Sequence, residues 1–321
     1  MLNKEFQNLK EQWSNCGFAN PLIDEAFFDL FQNEKNSPFL KMLINAIFSS
    51  LGMDLINEIK IENAQLGQET QLSKEAILDI LCSTEQNQWI DIEMQTTTPY
   101  WLSSRISLYV SRLFSAQFKK GATYLSSKPV FSIWLTPYAV NAKRNDPAVR
   151  RYRFYDDINH LCLFDPFPPK VNIIIVEINK ILDSMKELAI WRSFFMEPNH
   201  HNNILKARPD FKQMYDELQR FVTDPMKLHR YERRFYDLLQ VSEMEDSLEI
   251  EKREKDAAIS REKSALLREE AALKEKEEER KQKEEERKQK DEERRLKELA
   301  INEKNKLDLR IAELEALLNK K

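Results

Sequence analysis

The stretch AILDILCSTEQNQWIDIEMQ, residues 76–95, decides the fold of this chain. Two runs rich in strand-forming residues, 76–83 and 88–95, flank the polar segment Thr84 to Gln88, which suits a hairpin. Side chains alternate faces along a strand, so Ile90, Ile92 and Met94 form a core face while Asp91, Glu93 and Gln95 share the other. A turn symmetric about Gln86 sets Asp79 directly across from Glu93, with Cβ atoms about 4.5 to 5.5 Å apart. Like charges so placed destabilise a sheet unless they share a proton or hold a cation. Magnesium suits such a pair, because it takes one or two carboxylates and completes its shell with water and phosphate oxygens. A solvent-facing sheet surface on which two acids meet by accident accounts for the same spacing; Asp91, on the face of Glu93, is a further acidic ligand or a solvated residue, and solvation is the expectation.

Outward from the hairpin, the sequence reads as mixed α/β with a small central sheet. Helical apolar spacing runs through 24–51, and a short strand is expected near 56–62. A helix follows over about 101–120, lined by Leu102, Ile106, Tyr109, Leu113 and Phe114. VFSIWLT at 130–136 and NIIIVEI at 172–178 have the continuous β-branched character of buried strands. After residue 180 the pattern is helical again, with His200 and His201 expected in a loop. These readings divide the chain into 1–180, a helical extension over 181–240 and a long charged helix over 241–321.

That last segment is compositionally distinct. Residues 251–300 hold 17 Lys/Arg and 17 Asp/Glu with no aromatic, Pro or Gly, and EEERKQK occurs at 277–283 and again at 284–290. Glu277 with Lys281, Glu279 with Lys283, Glu284 with Lys288 and Glu286 with Lys290 are i,i+4 pairs, each contributing about 0.2 to 0.5 kcal/mol to a helix. No apolar residue suited to a coiled-coil seam lies between Leu273 and Leu296. Short seams at Ile259, Leu266 and Leu273, and from Leu307 to Leu318, would suit a weak homodimer contact; a monomeric charged rod fits equally well.

Composition excludes several classes. The 321 residues include only four glycines, which stand alone, so the glycine-rich phosphate loops of Rossmann and P-loop enzymes are absent. Cys16, Cys82 and Cys162 form no CxxC, which disfavours a disulfide scaffold or a Cys/His zinc site. With no apolar window of membrane-spanning length and no secretory signal, the expectation is a cytoplasmic protein without a membrane partner. The net charge of -4 requires any nucleic-acid contact to come from local patches or metal ions. Lys119, Lys120, Lys128, Lys143, Arg144, Arg150, Arg151 and Arg153, interleaved with Tyr152, Phe154 and Tyr155, form the strongest such patch, and KLHRYERRFYD at 227–237 a second.

Lys74-x-x-x-x-Asp79, thirteen residues, then Glu93-x-Gln95, followed by Arg105, Tyr109, Gln117, Gly121 and Tyr124, resembles the recombination-promoting nuclease and transposase family of the PD-(D/E)XK superfamily. IEMQ at 92–95, with Arg105 ten residues after Gln95 and Y-x-S at 109–111, is the most specific part. IDEAFFDLF, KPVFSIWL, VNIIIVEINKI and AIWRSFF agree with other portions, and the similarity covers about 20–225.

The resemblance implies a restriction-endonuclease-like core and a Mg- or Mn-dependent DNA endonuclease linked to recombination or mobile elements. Asp79 and Glu93 would be metal ligands, joined by the Met94 backbone carbonyl. Gln95 stands where the superfamily has lysine; it can orient water but carries no charge. Lys74 or Arg105 would then offset charge in the transition state. Gln117 would flank the site with Arg105, and Lys143, Arg144, Arg150, Arg151 and Arg153 would contact DNA phosphates. The competing reading is a catalytically idle scaffold whose functional part is the charged rod.

Overall fold

The computed structural model describes residues 2–62, 79–96, 101–118, 121, 123–140, 146–156, 158 and 170–318. In chain order the elements are α1 (Leu2–Asn15), α2 (Asp24–Gln32), α3 (Ser37–Ser50), β1 (Ile59–Ile61), β2 (Ile80–Thr84), β3 (Trp89–Met94), α4 (Leu102–Ser115), β4 (Val130–Thr136), β5 (Val149–Tyr152), β6 (Val171–Glu177), α5 (Lys186–Met196), α6 (His201–Ala207), α7 (Lys212–Thr223) and α8 (Pro225–Leu318). The strands form one six-stranded sheet in the order β1-β2-β3-β4-β6-β5. β3, β4 and β6 run parallel, and the remaining pairs are antiparallel.

Local chemistry explains two departures from the expected pattern. The apolar spacing over 24–51 breaks into two helices because the Asn33 side chain accepts the Lys35 amide and turns the chain through Glu34–Asn36, after which Pro38 in the first turn favours a new helix. His200 and His201 are helical: the first closes a 3-10 turn over Pro198–His200, and the second opens α6. β5 was not anticipated at all, because VRRY carries no apolar alternation.

The hairpin has the expected register. Ile80 pairs with Ile92, Leu81 with Asp91 and Cys82 with Ile90. Asn87 closes the turn at φ 55, its amide bonded to the Thr84 carbonyl at 2.8 Å. Asparagine tolerates this left-handed conformation, whereas a β-branched residue does not. Asn87→Val is therefore expected to cost roughly 1–2 kcal/mol, and Asn87→Gly to be nearly neutral, in urea unfolding.

One sheet face packs against α2, α3, α5 and α7 through Ile80, Cys82, Ile90, Ile92 and Met94. Within this core Trp191, from AIWRSFF, lies 5.2 Å from Phe211, 5.8 Å from Phe194 and 6.1 Å from Phe31 between ring centroids. Offset and edge-on contacts of this kind suit the aromatic quadrupole. The other face is covered by α4, whose Leu102, Ile106, Tyr109, Val110 and Leu113 meet Leu81, Val130, Trp134 and Ile175. The Asp91, Glu93 and Gln95 side of β3 thus lies beneath a helix.

Residues Met1–Asp246 form one compact unit and Ser247–Lys321 a second. In the second, Glu277–Lys281, Glu279–Lys283 and Glu284–Lys288 close at 3.3, 2.9 and 3.4 Å, three of the four anticipated pairs. Its Ile259, Leu266 and Leu273 are exposed. Among the described residues no helix is long and apolar enough to cross a membrane.

Candidate functional site

Asp79 lies immediately before β2, and its side chain reaches across to β3. Its Oδ2 accepts the Met94 amide at 2.9 Å, while its own amide donates to Glu93 Oε1 at 3.0 Å. The two carboxylates are tied together by backbone groups of opposite strands, as the register requires. α4 supplies the cation: Arg105 Nη2 donates to Glu93 Oε2 at 3.3 Å and to the Tyr109 hydroxyl at 3.3 Å, while Nη1 donates to Gln95 Oε1 at 2.9 Å. Arg105 also stands over the Tyr109 and Trp134 rings at 4.9 and 5.6 Å, so its planar guanidinium is fixed by stacking as well as by hydrogen bonds. Residues four apart on α4, Arg105 and Tyr109, share one helix face, which places both over the sheet.

Asp91 is not solvated. It is completely buried, Ser132 Oγ donates to its Oδ2 at 3.0 Å, and Trp134 Nε1 donates to Ser132 Oγ at 2.8 Å. Its Oδ1 is buried and has no donor among the described residues, with the Glu93 carboxyl beside it. The solvent-facing expectation failed because α4 and Trp134 cover this side of the sheet.

Three acids held away from water around one arginine carry a large electrostatic cost. Burial pushes the Asp79 carboxyl up to about 7, with the Met94 amide opposing and Asp24 adding to the rise. Asp91 is pushed up to about 8, first by burial and then by Asp79, with Ser132 opposing. Glu93 is raised well above its ordinary value by burial, Asp79 and Asp91. Burial works against the Arg105 charge, but Glu93 and Tyr109 more than offset it and hold the guanidinium above its usual value. Acids crowded in this way either keep a proton between them or take a cation, and Glu93 acts on Asp91 as a hydrogen-bond partner. Among the described residues no group of three or more His, Cys, Asp or Glu is arranged as a metal cage. A pair of carboxylates without such a cage is the donor set that magnesium accepts.

Around this centre the C-terminal ends of the parallel strands are tied together. The Tyr138 hydroxyl donates to the Gln95 carbonyl at 3.0 Å, and Thr136 Oγ1 donates to the Tyr138 carbonyl at 2.8 Å. Glu177 at the end of β6 is fully buried; it accepts the Val140 amide at 2.6 Å and pairs with Arg150 at 2.9 Å and Lys180 at 2.6 Å. Arg150, expected in a DNA grip, is thus held by Glu177. The E-x-x-K spacing of Glu177 and Lys180 was the signal for this cluster, while the contribution of Arg150 is long-range.

Other sequence candidates fall elsewhere. Gln117 lies past the end of α4 and clamps Lys128, accepting its amide at 2.8 Å and donating to its carbonyl at 3.0 Å, so it braces a loop rather than flanking the acids. The patch at 227–237 zips α8 onto α2: Lys227 pairs with Asp29 at 2.8 Å, Arg230 with Glu25 at 3.3 Å, and Arg234 with Asp24 through two guanidinium nitrogens. Asp24 and Arg234 also act on Asp79, the acid raising and the arginine lowering its pKa. Lys74, Lys119, Lys120, Lys143 and Arg144 lie outside the described residues.

A model of the family described as PD-(D/E)XK nuclease family transposase matches residues 21–238 of the 321. The match starts just before Asp24 and ends just after Arg234, so it encloses the sheet, the acids and the ion-paired root of α8. No curated protein and no solved structure gives a match.

Proposed function

Since the chain belongs to the PD-(D/E)XK nuclease family transposases, we propose that it is a divalent-metal-dependent endonuclease that hydrolyses DNA phosphodiester bonds, in the setting of recombination or mobile elements. The observation that carries this reading is the facing pair Asp79 and Glu93, cross-tied by backbone amides and capped by Arg105. Asp79 and Glu93 would hold magnesium or manganese, with the Met94 carbonyl as a further ligand. Such an ion, when bound, lowers the pKa of a coordinated water and stabilises charge on a phosphodiester.

The remaining roles belong to the chain. Arg105 holds the Gln95 amide by its oxygen, which fixes the amide that orients the attacking water. Arg105 also supplies the fixed positive charge that Gln95 lacks, aimed at the acids and at charge developing on phosphate. Lys74, five residues before Asp79, would add to it. Lys143, Arg144, Arg151 and Arg153 would contact backbone phosphates, a role in which position matters more than sequence. Self-association, to which a monomeric rod is an equal alternative, would run through the exposed Ile259, Leu266 and Leu273 of α8.

Thermal unfolding tests the metal site apart from the chemistry. Mg or Mn is expected to raise Tm, because a ligand at 100 times its Kd contributes about 2.7 kcal/mol. Asp79→Ala should not respond. A wild-type Tm unmoved by either ion at millimolar concentration would contradict the proposed site.

A further inference from the structure

A cavity of about 250 Å³ lies beside the hairpin turn, on the sheet face that α3 covers and thus opposite the acids. Its apolar lining includes Met53, Leu55 and the buried rings of Phe48 and Phe131, whose centroids are 5.2 Å apart. Local chemistry fixes its walls. The chain leaves α3 through Gly52 at φ 64, a conformation that glycine adopts freely. The Gly52 amide donates to the Ser49 carbonyl at 3.1 Å and the Met53 amide to the Phe48 carbonyl at 3.0 Å, a glycine-terminated helix end. The Asn45 side chain binds both backbone groups of Ile56, at 2.8 and 2.9 Å. From the hairpin turn, Glu85 accepts the amides of Asn57 and Glu58 at 3.1 and 3.3 Å.

Arg151 brings a cation to this lining. It pairs with Ile174 and Ile174 with Ile133, so its side chain leaves the sheet on the face shared by Ile133 and Phe131. The residue is half-buried, and its guanidinium has no ion pair among the described residues. Burial first, and then the like charge of Arg153, lower its pKa, with Tyr155 opposing. A guanidinium held partly out of water without an acid is stabilised by a bound anion, and its fork matches a carboxylate through two parallel hydrogen bonds. Asp54 and Glu85 also line the cavity, and Glu85 is taken up by Asn57 and Glu58. Two carboxylates nearby repel a doubly charged phosphate more than a singly charged carboxylate. The rings of Phe48 and Phe131 suit a flat apolar body. The volume lies below the roughly 300–1,000 Å³ of pockets for drug-sized ligands, so the ligand is small.

We propose that this cavity binds a small organic carboxylate with a flat apolar body, its carboxylate on Arg151 and its body against Phe48 and Phe131. This reassigns Arg151 from the phosphate contacts given to it above, and otherwise stands apart from the nuclease reading. Isothermal titration of the full chain in EDTA with 2-naphthoate tests it, against 2-naphthylmethanol, which has the same rings without the charge, and thymidine monophosphate, a dianion. 2-Naphthoate should bind saturably with a Kd below about 1 mM, and each of the other two at least ~10-fold more weakly. Arg151→Gln should weaken 2-naphthoate binding roughly 10- to 150-fold, the range for loss of a charge-assisted hydrogen bond. Leu55 is 57% exposed, so Leu55→Asp adds a charge of the ligand's sign without disturbing the core, and should weaken binding at an unchanged Tm. Absence of saturable 2-naphthoate binding, or wild-type affinity in both variants, would overturn the site. Thymidine monophosphate binding as tightly as 2-naphthoate would overturn it too, and would return Arg151 to phosphate. With no metal in the assay and the acids on the other face, this site and the nuclease centre can fail independently.

Discussion

Glu93→Gln is expected to reduce metal-dependent DNA cleavage by at least ~10²-fold, as for loss of a group acting on the reacting atoms, while making the metal-free protein more stable. Glu93 is buried at 1% exposure, faces Asp79 and Asp91, and among the described residues has one cation, Arg105, at 3.3 Å. In the metal-free chain its ionised form is opposed by burial and by both neighbouring acids. A neutral amide of the same shape removes one of the repelling charges; its single oxygen accepts from the Arg105 guanidinium or from the Asp79 amide but not from both, so the gain is the relief of repulsion less one hydrogen bond. Functional centres commonly carry such local instability.

The pH dependence has a defined sign. Asp79 and Asp91 are pushed up to about 7 and 8 in the folded chain, against ordinary carboxylate values near 4. The folded chain therefore binds more protons than the unfolded one between about pH 4 and 8, and stability falls as pH rises through that window. Above the folded-state values the loss levels off. Urea unfolding of metal-free wild type and Glu93→Gln at pH 5 and pH 8 should show a shallower decline in the variant. A wild type that gains stability relative to Glu93→Gln as pH rises would contradict the electrostatic account.

Arg150→Ala is expected to destabilise the chain by about 3 kcal/mol, because removing one partner of a buried ion pair leaves the other charge with less compensation. Arg150 grips both oxygens of Glu177, at 2.9 and 3.1 Å, and also donates to the Pro147 carbonyl at 3.0 Å. Lys180 remains on Glu177, which keeps the cost toward the low end of the range for buried pairs. Adding Glu177→Gln should recover about half the loss, since it removes the stranded charge. Urea unfolding of the two variants measures both effects.

The hairpin was readable because a polar turn, two alternating runs and a symmetric centre leave only one register that buries Ile90, Ile92 and Met94 together. Val130–Thr136 was readable because a strand covered on both faces has no polar alternation to confuse it. β5 was opaque for the opposite reason: VRRY takes its place from pairing with β6 and from ion pairs, which no local pattern encodes. The burial of Asp91 depended on α4 and on Trp134, forty-three residues away, so its alternation gave the face but not what covers it. Arg150 and Arg234 looked like surface charge for the same reason. Their acids, Glu177 and Asp24, are distant in sequence, and a run of basic residues reads alike whether it meets phosphate or a folded carboxylate.

Cleavage of supercoiled plasmid with Mg or Mn, by wild type, Asp79→Ala and Glu93→Ala purified in parallel, tests the central claim most directly. Wild type should convert the plasmid only when the metal is present, and neither variant should do so. Equal cutting by all three, or a wild type inactive with both metals across a range of salt, would contradict it.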